Sequence, residues 1–314
     1  MRSFNQVAAV FARHDPAICL APGIFRSLPR GAKHRNRRVE VVYQHGDSTL
    51  RFVLPFLLGA EDLRVLQVLV SLAGRDRTTL PQDPITDTGR ALKLQLASQR
   101  TADALVVRTR LANVLRALNR EDCRDARTAI RESLVRLASV VVIVVCRSRD
   151  ASAHLLSHAV DAKSGELVVA LDPRVTAAAL GAERYTLINL DEVRALKGDL
   201  AVILHQRLCA WIDPGRTRLV REETLVRYAF PEPASTASAR AKRVRRVRAA
   251  VACLITVGWT AQERRGVYAL GRPWNRDQVP SHQDQMPWDQ DSGQLDSSIS
   301  SMTYSPNDCA SKSI

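Results

Sequence analysis

The 314-residue chain is poor in aromatic side chains (5%), and its six cysteines (19, 123, 146, 209, 253 and 309) form no C-x-x-C pair or other metal-ligand spacing. Without aromatic platforms on which unpaired bases could stack, a reader of RNA or of single strands is disfavoured. The cysteine spacing argues against a zinc ribbon. No hydrophobic signal segment follows the early Arg2, so free thiols in a reducing, cytoplasmic setting are expected. No Gly-rich phosphate loop of the Walker type is present, so ATP-driven work is not expected of this chain. The longest apolar run, "LASVVVIVVC" (137–146), is too short to cross a bilayer. Its β-branched composition predicts a buried strand.

Acid is missing where positive charge is densest. In "SARAKRVRRVRAAVACLITVGW" (238–259), six of the nine residues from Arg240 to Arg248 are Lys or Arg, and no acid lies between Arg240 and Gln262. At 100° per residue, Val244, Val247, Val251, Leu254 and Ile255 gather on one side of a helix, with Lys242, Arg245, Arg246 and Ala249 opposite. A solvated helix face ordinarily mixes signs to relieve repulsion, so the missing negative charge is expected from an outside anion. The whole chain carries +14. Residues 273–314 hold two basic and six acidic side chains, a net of −4, which leaves +18 on residues 1–272. A body that basic favours a polyanion, with nucleic acid ahead of membrane.

Two segments share one order of elements. After a basic N-terminal arm over 1–46, containing "RGAKHRNRR" (30–38), the first segment spans 47–160. It opens with a helix, "LGAEDLRVLQVLVSLAG" (58–74), started by acids and ended at Gly74, and a strand, "ALKLQLA" (91–97). "RLANVLRALN" (110–119) puts Leu111, Val114, Leu115 and Leu118 on one helical face. Asn119 is placed to cap "REDCRDARTAIRESLVRLA" (120–138), whose apolar stripe is Cys123, Ala126, Ile130, Leu134 and Leu137. Beside it runs a basic stripe, Arg120, Arg124, Arg127 and Arg131. A strand, a tip carrying Arg147 and Arg149, and a return strand "SAHLLSHAV" (152–160) complete a helix, turn, basic helix and hairpin.

Residues 161–272 repeat that order. A strand "ELVVAL" (166–171), a helix "PRVTAAALG" (173–181) and "YTLINL" (185–190) lead to a helix opened by Asp191. "DLAVILHQRLCAWI" (199–212) runs until Asp213-Pro214-Gly215, and "REETLVRYAF" (221–230) precedes the basic helix. The hairpin "WTAQERRGVYAL" (259–270) carries Arg264, Arg265 and Gly266 at its tip. The expectation is an α+β chain of two tandem winged-helix domains, 47–160 and 161–272, with a disordered acidic-polar tail over 273–314.

An α-helix with its side chains is about 10–12 Å across, matching the ≈ 12 Å major groove of B-DNA. Ser238, Lys242, Arg245 and Arg246 are expected to face that groove, where Arg can bond guanine bidentately, and Arg243 and Arg248 to reach phosphates. The first basic stripe and the wing arginines 147, 149, 264 and 265 are expected on the DNA backbone, where they fix register.

"RHDPAICLAPGIFRSLPRG" (13–31), "LGAEDLRVLQVLVSLAG" and "DEVRALKGDLAVILHQRLCAWIDPGRT" (191–217) together resemble the RepC replication initiators of IncQ-type plasmids. The likeness runs from about Arg13 to Pro273, fits poorly between Arg75 and Thr88, and does not extend into the tail. It implies a bacterial, plasmid-encoded protein that binds tandem iterons in double-stranded origin DNA and opens an adjacent A·T-rich region. It also implies the plasmid's hexameric helicase and primase as partners, and a homodimer off DNA stays open.

Other chemistry is less well supplied. His205-x-Arg207 is one residue short of the H-x-x-R of tyrosine recombinases, and the helix has its own uses for a partly buried His and a surface Arg. His154 and His158 fall on a strand without a thiol or carboxylate nearby, so no metal is expected. Asp191 and Glu192 read as helix N-terminal charges rather than a catalytic pair. Neither catalysis nor a cofactor is expected. The rival reading is a transcriptional repressor using the same domains, which an inverted repeat over a promoter would favour and in-phase direct repeats would not.

Overall fold

In a computed structural model the described residues are 10–28, 36–79, 104–146, 149–161 and 166–274. They form an α+β fold. In chain order its first elements are β1 (Phe11–His14), α1 (Pro16–Leu20), β2 (Val39–His45), β3 (Ser48–Leu54), α2 (Ala60–Asp76), β4 (Val106–Arg110), α3 (Leu111–Ala117), α4 (Arg124–Ala138), β5 (Val141–Cys146), β6 (Arg149–His154) and β7 (Leu156–Val160). Then follow β8 (Glu166–Leu171), α5 (Pro173–Leu180), β9 (Thr186–Asn189), α6 (Leu190–Ala195), α7 (Asp199–Trp211), β10 (Thr217–Arg221), α8 (Glu222–Ala229), α9 (Ala237–Ile255), β11 (Thr260–Arg264) and β12 (Val267–Gly271). The strands pair antiparallel, in the orders β1-β9, β2-β3-β5-β6, β4-β8-β7 and β10-β12-β11.

The centre is α2. Its apolar residues are not confined to a stripe, as they are in a surface helix, but run all round the axis. From Asp62 to Ala73 every residue except Arg64 is buried. Three of those residues are polar, and each has a partner, although Gln67 Oε1 accepts no hydrogen bond from the described residues. Asp62 accepts from Gly59 N (2.8 Å) and from Arg136 Nε and Nη2 (3.0 and 2.8 Å). Gln67 Nε2 donates to Gln206 Oε1 of α7 at 2.9 Å, and the Ser71 hydroxyl donates to the Phe11 carbonyl of β1. The helix passes through Gly74 instead of ending there, because that glycine is a packing position. A Cβ on it would lie 3.1 Å from the Ala179 carbonyl oxygen of α5. The left-handed terminating residue is Arg77 (φ 47°).

Four expectations need correcting. The segment 1–46 is not simply an arm: β1 pairs with β9, Asp15 caps α1 through Ala17 N (2.7 Å), and β2 is the edge of the four-stranded sheet. The expected boundary at 160/161 is crossed by a sheet, since β8 lies between β4 and β7, and one hydrophobic core runs through both halves. "SAHLLSHAV" is not one strand. The chain bends at Leu155, so β6 pairs with β5 while β7 turns to β8. Asn119 takes φ 56° after α3, and the next helix begins at Arg124, with Cys123 exposed at its N-cap instead of packed in the stripe. The expected strand at 91–97, most of the basic arm motif and the tail beyond 274 lie outside the described residues.

The Asp62–Arg136 pair is the joint between α2 and α4, with Asp62 wholly buried and Arg136 11% exposed. Removing one member of a buried pair strands the other charge, at a cost of about 3–5 kcal/mol. Asp62→Ala is therefore expected to lower urea-unfolding stability by that order, and Glu61→Ala by much less. Equal effects of the two substitutions would remove the pair from its central place.

Candidate nucleic-acid interface

The acid-free stretch forms α9, as its periodicity predicts. Thr236 caps it, accepting from Ala239 N at 3.1 Å, and Val247, Ala250, Val251 and Leu254 form the buried inner stripe. That i, i+3, i+4, i+7 set leaves Ile255 one step past its edge, and Ile255 is 49% exposed, not buried as expected. Immediately after the helix Trp259 is buried, and its indole N–H donates to Glu192 Oε2 at 3.1 Å. The same oxygen lies 2.7 Å from His205 Nε2. Glu192 of α6, His205 of α7 and Trp259 thus fasten the C-terminal end of α9 to the core.

On the outer face, Ser238, Lys242, Arg245, Arg246, Arg248 and Ala249 are exposed and Arg243 is half-buried. Their surroundings divide them. Arg243 and Arg246 stack on the Phe230 ring at 5.1 and 5.2 Å, Arg243 also donating to the Glu232 carbonyl and Arg246 to Ser27 Oγ (2.5 Å). Arg248 donates from Nε and Nη2 to the two oxygens of Glu222 at 2.6 and 3.0 Å. Lys242 and Arg245 make no hydrogen bond or ion pair with any of the described residues. Within this acid-free helix, Lys242 and Arg245 are therefore the outer-face cations left without internal partners among the described residues.

The hairpin that follows is a two-residue turn with positive φ at both centres, Arg265 (52°) and Gly266 (75°). Such turns match the twist of the flanking strands. Arg264, paired with Val267, and Arg265 are both exposed. Sequence reasoning overlooked β10, the third strand of this sheet. "TRLVR" carries only two apolar residues and looks like a linker until it pairs with β12.

The first basic helix is shorter than expected. Arg120 precedes it and pairs with Glu61 through two bonds (2.5 and 2.6 Å), and Arg127 pairs with Asp122 in the same way (2.5 and 2.7 Å). Arg124 and Arg131 are exposed, with no ion pair among the described residues. Arg149 opens β6 opposite Cys146, while Arg147 at the tip lies outside the described residues.

The remaining sites serve packing. His205 is fully buried against Glu192, and Arg207 is not a surface residue. Its guanidinium stacks 3.6 Å from the Tyr228 ring centroid and donates to the Leu20 carbonyl. His154 Nδ1 donates to the Ala138 carbonyl at 2.8 Å. Asn189 caps α6 and Asp191 pairs with Arg194 (2.5 Å), so Glu192 is the acid of that turn with a distant partner. Among the described residues no three His, Cys, Asp or Glu side chains gather as metal ligands would, and no helix is long and apolar enough to cross a membrane.

Comparison with known proteins gives two results. The model of the Replication protein C (RepC) family matches residues 6–274. Among solved structures, a selenomethionine crystal form of domains 2 and 3 of RctB has a TM-score of 0.52 at 11% identity, covering 82% of this chain and 98% of that one. A second structure of RctB domains 2–3 has a TM-score of 0.47 at 11% identity, covering 82% and 96%. No curated protein matches.

The Glu192–His205 contact generates a pH prediction. Burial works against charge on His205, but the Cys209 sulfur and the Glu192 carboxylate outweigh it and push the pKa up from 6.5 to about 9. Burial also opposes charge on Glu192, yet its bonds to His205 and Trp259 hold its pKa below 4.5. A raised histidine pKa gives stability that is complete below 6.5 and lost as pH rises through about 9. The lowered Glu192 value gives stability lost only as pH falls below 4.5. The melting temperature of the intact chain should exceed that of His205→Gln by several degrees near pH 6, and the gap should narrow by about pH 9.5. A gap constant across that range would show that the imidazole is neutral.

Proposed function

The chain belongs to the Replication protein C (RepC) family, and from that premise as a replication initiator we propose that it binds iteron repeats in double-stranded plasmid origin DNA through two winged helices. The second is α7-β10-α8-α9-β11-β12, with α9 in the major groove and the β11–β12 tip on the backbone. The first is α2-β4-α3-α4-β5-β6. Its fourth member, α4, presents Arg124 and Arg131, although its first strand pairs with β8 and not with the wing. The observation that carries the reading is the outer face of α9, where Lys242 and Arg245 stand exposed and unpartnered among the described residues. Such cations gain most from phosphate or guanine, because no internal bond must first be broken. The RctB likeness supports the fold on which this rests. Opening of the origin and loading of helicase and primase follow from the initiator role in this reading, with DNA binding and deformation, not catalysis, as this chain's part.

Three measurements test it. With roughly 8 phosphate contacts, log K for origin DNA should fall against log salt with a slope of about −7. A slope near −2 would leave room for one half only. Footprinting at the origin should show protection of in-phase direct repeats. Arg245→Ala should cost about 1–3 kcal/mol on such a repeat and relax preference at one base position. Protection of a single inverted repeat over a promoter would favour a repressor instead.

A further inference from the structure

Arg248 lies on the basic face of α9 with its side chain 59% exposed, yet its guanidinium is engaged by an acid of the same fold. Both bonds go to Glu222, the first residue of α8, at 2.6 and 3.0 Å. The Glu222 N–H donates to the carbonyl of Gly266 in the wing turn (2.8 Å), and its Oε1 is reached by the Tyr268 hydroxyl of β12 at 3.4 Å. One residue therefore touches α9 through a guanidinium, β12 through a phenol and the wing turn through its backbone. The Glu222 side chain is only 14% exposed. The neighbouring pair Arg240–Glu223 is a single contact of 3.3 Å between side chains each 68% exposed, which is an ordinary surface pair. Arg248 holds Glu222 below its usual carboxylate range, chiefly by the hydrogen bonds it donates.

The wing itself is ordered at its tip. Glu263 Oε1 accepts from Gly266 N at 2.6 Å and holds the tight turn that displays Arg264 and Arg265. β12 is paired along its length with β10, whose last residue, Arg221, leads directly into Glu222, so what remains to be fixed is how this three-stranded sheet faces the outer side of α9. Among the described hydrogen bonds, those to the Glu222 carboxylate are the ones that link β12, close to the wing turn, with a basic residue of α9.

We propose that Glu222 and Arg248 are positioning residues that lock the β11–β12 wing to α9, so that Arg264 and Arg265 meet the backbone of the duplex that Lys242 and Arg245 enter. The acid thereby strengthens DNA binding even though its charge repels phosphate. The inference rests on the DNA-binding reading above and makes the opposite prediction from simple electrostatics.

The experiment has a part without DNA and a part with it. Hydrogen exchange of the full chain should quicken across 260–271 in Glu222→Gln and Arg248→Gln, with the core unchanged. Binding is then measured on a labelled duplex from the origin of the replicon that encodes the chain, over a series of salt concentrations. Glu222→Gln is expected to weaken binding several-fold, Arg248→Gln to weaken it equally, and the double variant to add nothing, as residues of one joint do. The salt slope should stay within about 0.5 of the parent, whereas a lost phosphate contact would reduce it by about 0.9. Arg248→Lys keeps the charge but not the two-bond fork, so it should behave like Arg248→Gln and covers the case in which the neutral variants fold poorly. Tighter binding by Glu222→Gln, full binding by Arg248→Lys, or unchanged wing exchange would each overturn the proposal. A parent chain that binds no duplex would instead sink the functional reading and leave the exchange result to judge the joint.

Discussion

A helix without a solvent face is the constraint from which the rest follows. Along α2 the apolar side chains leave no direction open to water between Asp62 and Ala73, save at Arg64. Neighbours must then cover it on every side, and the chain supplies them from far apart: β1 before it, α4 after it, α5 and α7 from the second half. Burying polar groups without partners costs more than a hydrogen bond returns, so Asp62, Gln67 and Ser71 decide which neighbours fit. Each reaches a different element, Arg136 on α4, Gln206 on α7 and the Phe11 carbonyl on β1. The two halves of the described chain therefore share one core. The basic helices are attached to that core at definite points, α4 through Arg136 and α9 through Trp259 and its inner valines.

Positive charge in this protein does two kinds of work. Only six of the 46 basic residues are lysine (33, 93, 163, 197, 242 and 312), which leaves 40 arginines. A guanidinium is planar, weakly hydrated and carries five donors, so it can be built into packing where an ammonium would stay in water. Arg272 is 6% exposed and donates to the carbonyls of Cys209, Ile212 and Leu187. Arg26 bonds Gly23 and Glu232, and Arg207 lies over Tyr228. The net charge thus overstates the interface. Cations without internal partners are the better guide, and along α9 they narrow to Lys242 and Arg245.

Much of this was legible in the sequence because period and polarity agreed. The spacing of Leu111, Val114, Leu115 and Leu118 marked α3, and all four are buried. Val247, Val251 and Leu254 of the inner stripe of α9 were legible for the same reason, whereas Val244 is half-buried and Ile255 exposed, and the β11–β12 turn at Arg265-Gly266 was legible too. The illegible parts depended on distant partners. β10 has too few apolar residues to declare itself and exists because β12 lies beside it. Gly74 looked like a stop signal, whereas what it serves is the close approach of Ala179, 105 positions later in the chain. Glu192 looked like a helix-dipole charge, since nothing local reveals that His205 and Trp259 converge on it.

The pairs on the two basic helices also explain why charge placement was a stronger signal than residue roles. A carboxylate that holds an arginine in two bonds is invisible to a count of charges when it sits on another element, as Glu61 does for Arg120 and Glu222 for Arg248. Such an acid subtracts from the field that draws a polyanion in, but it fixes a side chain or an element that would otherwise spend entropy on binding. Which effect wins depends on burial. Glu61 and Glu222 are 20% and 14% exposed and each is gripped by two bonds, so the acid is fixed by the surrounding structure even though its arginine is 37% or 59% exposed. Arg240 with Glu223, a single contact between side chains each 68% exposed, offers no comparable restraint. The same +18 body can therefore contain arginines that contact a partner and arginines that aim the contacts, and only the geometry around each carboxylate separates them.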